Sequence, residues 1–141
     1  YYNDDQDHLD TYGNLYNWYA VDDDRGVCPE GFHVSTDEEI KQLEMYLGMS
    51  ESEANSEGLR GTDEGGKLKE EGTEHWNSPN TGATNETGFT ALPGGRRDYD
   101  SYTDQEVWCC LNRYGFFWSS LSISWYCCGQ DGYIFWTFQR G

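Results

Sequence analysis

Five cysteines and three histidines are the residues in this chain with the strongest chemistry. Cys28 stands alone, and the others form two doublets, Cys109–Cys110 and Cys127–Cys128. A tetrahedral zinc site favours C-x2-C spacing, which lets two sulfurs reach one ion. Neither doublet has that spacing, and no histidine lies beside them. The odd cysteine count leaves one thiol over. Two readings stay open for the doublets. They form disulfides with each other if their segments are neighbouring strands, or they are compact apolar positions in a binding surface. His8, His33 and His75 are scattered, and no Ser/His/Asp or Cys/His arrangement stands out. Catalysis is therefore not expected, and no cofactor is called for.

Oxygen donors gather in one loop, at Asn77, Asn80, Asn85 and Glu86. Hard cations take such ligands, so a structural calcium ion is compatible with this set. The competing use of the same side chains is to bond the backbone of their own loop. Asn85-Glu86-Thr87 is a glycosylation sequon by pattern alone.

Charge and aromatics are unevenly spread. The chain has 141 residues and a net charge of −17. Such a surface repels phosphate backbones and anionic membranes, which argues against nucleic-acid and membrane-surface partners. No run of apolar residues is long enough to span a bilayer, so membrane insertion is not expected. An aromatic content of 16% argues against simple disorder. Of the 26 acidic residues, only Glu106 and Asp131 lie beyond position 105, whereas nearly half of the aromatics do. The short aromatic end cannot fold alone, so the expectation is one domain over residues 1–141, with a scaffold at 1–105 and a specialised end at 106–141. The start at Tyr1 is read as the mark of an excerpt from a longer product.

The elements that must position these residues are partly legible. The aromatic stretch Tyr12–Val21 reads as a strand or short helix, and Gly31–Val34 as a short strand. Ser35 with Glu38 has capping-box spacing, and Ile40, Leu43 and Leu47 fall on one helical face before the stop at Gly48. A weaker helix is expected within 50–60. Residues 61–98 read as long loops pinned by specific side chains. From 106 onward, β-branched and aromatic residues between glycines predict three or four antiparallel strands. The class is α+β, with helices early and sheet late.

Several segments resemble the Fibrobacter succinogenes major paralogous domain. They are the Tyr12-Gly-Asn-Leu-Tyr-Asn-Trp-Tyr-Ala-Val21 stretch, Cys28-Pro-Glu-Gly-Phe-His-Val34 and Gly65-Gly-Lys-Leu-Lys-Glu70. His75-Trp-Asn-Ser-Pro-Asn80, Gly82–Phe89, Ala91-Leu-Pro-Gly-Gly95, Arg97-Asp98 and Phe117-Trp-Ser-Ser120 continue the series in order. That family is similar to the formylglycine-generating-enzyme branch of the C-type lectin fold. The resemblance implies two helices packed on a twisted antiparallel sheet, with long loops. The enzymes of that branch use a specific cysteine pair, which neither doublet here matches. Lectin sugar sites use E-P-N or Q-P-D followed by W-N-D; Ser78-Pro79-Asn80 lacks the acidic residue and no W-N-D follows. The family's closing G-F-S-V-R-C segment has no counterpart before Gly141, so that strand and the cysteine the resemblance implies as the disulfide partner of Cys28 are absent or lie beyond this excerpt.

The stretch from Trp108 to Phe138 departs in a patterned way. Gly115, Trp118, Ser119, Ser120, Trp125 and Tyr126 keep the family pattern, and Trp118 and Trp125 are expected to point inward. Between them stand unusual residues, which resemble the rewritten positions of variable proteins from diversity-generating retroelements. The resemblance implies a hypervariable ligand-binding face made by Trp108, Cys109, Cys110, Leu111, Arg113, Phe116, Leu121, Ile123, Cys127, Cys128, Tyr133, Phe135, Trp136 and Phe138. Aromatics and arginine supply the rigid area and polar handles such faces use. The partner implied is a protein or other macromolecule on a host or neighbouring cell, and the location is a virion or cell surface. An oligomer is compatible with a domain that caps a fibre. The alternative is a fixed extracellular module of the same family, with a structural or carbohydrate-related role.

Overall fold

Helix caps decide most of the first half of the chain. The computed structural model describes residues 2–100, 105–120, 124–129 and 134–138. For residues 2, 59, 99, 100, 105–108, 124–129 and 134–138 it describes the backbone alone. Helix α1 spans Gln6–Tyr12, opened by Asp5, whose carboxylate accepts from the Asp7 N–H, and closed by Gly13 at φ 76°. Helix α2, Trp18–Val21, is capped by Asn17, whose side chain accepts from the Ala20 N–H at 3.0 Å. The Tyr12–Val21 stretch is thus the end of one helix and a second short helix, with no strand. Gly31–Val34 is not a strand either, because a turn closes there through the Phe32 N–H to the Pro29 carbonyl.

Helix α3 runs from Asp37 to Tyr46. Its capping box is Thr36 with Glu39, one residue beyond the pair expected from sequence. The Glu39 N–H donates to the Thr36 hydroxyl at 3.2 Å, and the Glu39 carboxylate accepts from the Thr36 N–H at 2.8 Å. His33 bonds the same carboxylate at 2.9 Å, which favours this register of the cap. Helix α4, Glu51–Ala54, repeats the device with Ser50 and Glu53.

Beyond α4 come strand β1, Leu59–Arg60, and helix α5, Glu64–Leu68. Strands β2 (Arg96–Asp100) and β3 (Gln105–Cys109) form a two-stranded antiparallel ribbon. Strands β4 (Tyr114–Trp118), β5 (Ser124–Gly129) and β6 (Ile134–Phe138) join β1 in a four-stranded sheet of order β1-β6-β5-β4. All of its pairings are antiparallel.

Among the described residues the core lies between α3, α4, α5 and the loop that follows. Ile40, Leu47, Met49, Ala54, Leu68, Trp76 and Ala91 are buried together, with Leu43, Met45 and Phe117 packed on them. Glu44 shares the apolar face of α3 and is fully buried. It survives there because Arg60 reaches it from β1 with two hydrogen bonds, at 2.6 and 3.2 Å. Burial nevertheless pushes the Glu44 carboxyl up to about 7, against the pull of Arg60.

The long segment after α5 is pinned by side chains. The Trp76 indole donates to the Ala91 carbonyl at 3.0 Å, and Lys69 Nζ donates to the Thr81 carbonyl at 3.0 Å. Gly66 lets this loop close on α5, since a Cβ there would run into the Gly82 carbonyl.

Candidate binding face

The turn between β3 and β4 is where the expected face is best defined. It is held by main-chain bonds. The Cys110 carbonyl accepts from the Arg113 and Tyr114 N–H groups at 3.1 and 3.0 Å. The Asn112 N–H donates to the Pro93 carbonyl at 3.0 Å, and the Asn77 N–H donates to the Asn112 carbonyl at 2.8 Å. Side chains at Leu111 and Arg113 can change without breaking any of these bonds. Leu111 is half-buried and Arg113 is exposed. Cys110 and Asn112 are the constrained members, at φ 75° and 61°, a region that favours Asn or Gly.

The neighbouring scaffold positions are fixed by contacts of another kind. A Cβ at Gly115 would stand 2.7 Å from the Leu92 carbonyl and 3.2 Å from the Phe117 ring. Ser119 is fully buried, and the Ser120 N–H donates to the Ser35 carbonyl at 2.8 Å. The Trp118 indole donates to the Tyr16 carbonyl at 2.9 Å and its ring lies 6.1 Å from that of Trp18. Trp118 is therefore not part of the main core as expected. It clamps the sheet to the N-terminal segment on the face opposite Phe117. Trp125 pairs with Trp118 and Thr137 through its backbone.

The register divides the expected residues between two faces, since cross-strand partners share a face. Phe116, Cys127, Phe135 and Leu59 form one row. By alternation this row lies on the face opposite Phe117, which packs on the core. Gly115, Cys128, Ile134 and Arg60 form the next row, on the Phe117 face. Phe117, Tyr126 and Trp136 form another there, and Phe138, paired with Ser124, also takes a position on that face. Cys128, Trp136 and Phe138 thus occupy core-side register positions. Leu121, Ile123 and Tyr133 lie outside the described residues.

Trp108 and Cys109 stand on β3, opposite Arg97 and Arg96. Among the described residues β3 pairs with β2 alone, so the Cys109–Cys110 doublet is not on a strand neighbouring Cys127–Cys128. Cys109 and Cys110 are instead bonded to each other, and Cys28 is a half-buried free thiol. Arg96 adds a contact that the spacing of residues did not reveal. Its guanidinium lies 5.0 Å from the Phe116 ring centroid and its Nε donates to Asp98 at 2.6 Å. A cation and a ring twenty residues apart carry no local sequence signal.

The loop oxygens serve the loop itself in part. Asn85 is committed to Thr90, donating to its hydroxyl at 2.9 Å and accepting from its N–H at 2.7 Å. Asn77 acts through its backbone, bonding Asn112 and accepting from the Asn80 N–H, and its side chain is exposed. Glu86 is exposed. Asn80 is buried and donates to the Glu70 and Gly72 carbonyls at 2.9 and 2.6 Å.

No helix is long and apolar enough to cross a membrane among the described residues. Comparison with curated proteins and with solved structures yields no match to either. Residues 1–124 match the family described as the Fibrobacter succinogenes major domain. That match takes in the capped helices, the pinned loop, the turn at Cys110–Arg113 and the Trp118 clamp, and the chain belongs to the Fibrobacter succinogenes major domain family.

Proposed function

We propose that this chain is a non-enzymatic ligand-binding display protein, built on a C-type lectin scaffold and diversified at its C-terminal end by a retroelement. The observation that carries this reading is the division of labour around β4. Gly115, Trp118 and Ser119 are held by steric fit, ring contact or burial, whereas the turn bearing Leu111 and Arg113 is held by its backbone. A surface meant to change its side chains needs such a backbone-determined frame. The row Phe116, Cys127 and Phe135 is likewise set by main-chain ladders.

Recognition on this reading is non-covalent, by aromatic and arginine anchors, of a macromolecule on a host or neighbouring cell. The protein sits on a virion or cell surface. No catalytic step is assigned.

The reading is tested by substitution libraries read for folding. Variants at Arg113, which is exposed, should keep stability within about 0.5 kcal/mol, as surface positions do, and those at Leu111, Cys127 and Phe135 should keep the fold. Variants at Gly115, Trp118 and Ser119 should unfold. Equal intolerance in both groups would show that the aromatic strands are core, and would favour the fixed module of the same family.

A further inference from the structure

Outside this face, one cluster of side chains has the makings of a ligand site. Glu70, Glu74 and His75 place one ligating atom each within 4.8 Å of one another. His75 Nδ1 lies 2.9 Å from both Glu70 carboxylate oxygens. Glu70 and His75 are half-buried, and Glu74 is exposed. The imidazole is fixed on its other side by Tyr12, whose ring meets it edge-on at 5.8 Å. An acidic coat alone offers hard oxygens; here a half-buried nitrogen donor stands among them.

A second observation comes from Asn80. Its side-chain N–H groups are bound to the Glu70 and Gly72 carbonyls, so its amide is seated in the loop that carries all three donors. Its Oδ1 is buried and accepts no hydrogen bond. An orphaned buried acceptor carries a desolvation cost that a cation, or a water on a cation, removes.

We propose that Glu70, Glu74 and His75 bind a divalent cation of the zinc class, with the Asn80 amide oxygen accepting from its hydration shell. A nitrogen and two carboxylates suit borderline metals better than calcium, which prefers oxygen alone. Two ligands of one tetrahedral ion, each at roughly 2.0–2.2 Å from it, stand about 3.3–3.6 Å apart, so the Nδ1–carboxylate pair, at 2.9 Å, opens by roughly half an ångström to admit it.

The test titrates Co2+ into the protein in excess Mg2+, which occupies the acidic coat, and reads the visible absorption. The expected result is one ion per chain, displaced by Zn2+, without a thiolate-to-cobalt charge-transfer band. Glu74→Gln, at an exposed position, and His75→Gln should each weaken binding by about tenfold or more, with the fold intact by circular dichroism. Loss of binding in Glu74→Gln alone still supports the site if His75→Gln fails to fold. No Co2+ bound by the wild type overturns the proposal. So does a thiolate band, which assigns the ion to cysteines, or equal affinity in Glu74→Gln, which assigns it to the acidic surface.

Discussion

Replacing Arg60 with methionine removes one partner from the buried Glu44–Arg60 pair and leaves the other in the core. Both side chains are almost wholly inaccessible, at 4% and 0%. Breaking such a pair costs about 3–5 kcal/mol, because a buried carboxyl group loses its guanidinium partner. Arg60 also donates to the Ser56 carbonyl at 2.9 Å, a bond worth about 1 kcal/mol. An overall cost of about 4 kcal/mol lowers the urea midpoint by roughly 2 M, for a slope of about 2 kcal/mol/M. The penalty also depends on pH. The folded-state value for Glu44 is raised from 4.5 to about 7. Its contribution to stability is therefore full below 4.5 and lost as pH rises through 7. Without Arg60 the folded value climbs further, so Glu44 stays neutral at higher pH and the variant keeps losing stability where the wild type has levelled off. The penalty is thus flat below about 7 and grows above it, by up to about 1.4 kcal/mol per pH unit. Urea unfolding at pH 6 and pH 8 measures both numbers. The double variant Glu44→Leu with Arg60→Met should recover most of the loss, since apolar replacements of a buried pair are often neutral. A cost under about 1 kcal/mol for Arg60→Met, or a double variant worse than the single, would refute the buried-pair reasoning.

Other outcomes follow from the same geometry. Gly66→Ala gains about 1 kcal/mol of helix propensity but drives a methyl into the Gly82 main chain. A net loss of about 1–3 kcal/mol in thermal unfolding is expected. Glu39 is held at about 2 by the Thr36 N–H, then by His33 and the Thr36 hydroxyl. Its contribution is present above the ordinary 4.5 and lost as pH falls towards 2. NMR titration should find a depressed midpoint that rises in Thr36→Val, a variant that also loses about 1 kcal/mol with its cap. Trp76→Phe should destabilise the fold, because it removes one of the two hydrogen bonds to the Ala91 carbonyl, leaving that from the Glu70 N–H, and opens space in the core. Equilibrium unfolding indistinguishable from wild type would remove Trp76 as the pin of the loop.

Helix α3 was legible because its signals are local: a cap, an apolar face and Gly48 all lie within thirteen residues. The cap stands one residue on because Ser35/Glu38 and Thr36/Glu39 have the same spacing, and tertiary contacts such as that from His33 separate them. Strand-like Gly31–Val34 does not form a strand, since Pro29 opens a turn there and Phe32 stays 74% exposed. The Glu44–Arg60 pair was illegible, because nothing local marks a glutamate on an apolar helix face as paired to a residue in another element. At the candidate face, the sequence proposes residues but cannot divide them between the two sides of a sheet. Alternation assigns Cys127 and Cys128 to opposite faces once the register is known, and register is a long-range property. The main-chain anchoring of Cys110–Arg113 was invisible for a different reason: backbone bonds leave no trace in side-chain identity.

The most direct measurement is deep sequencing of the gene's C-terminal coding end across its source population. The account predicts that substitutions concentrate between Trp108 and Phe138, fall at adenine-rich codons, and spare Gly115 and Trp118-Ser119-Ser120. Variation spread evenly along the gene, mostly synonymous, would contradict it and make this chain a fixed member of its family.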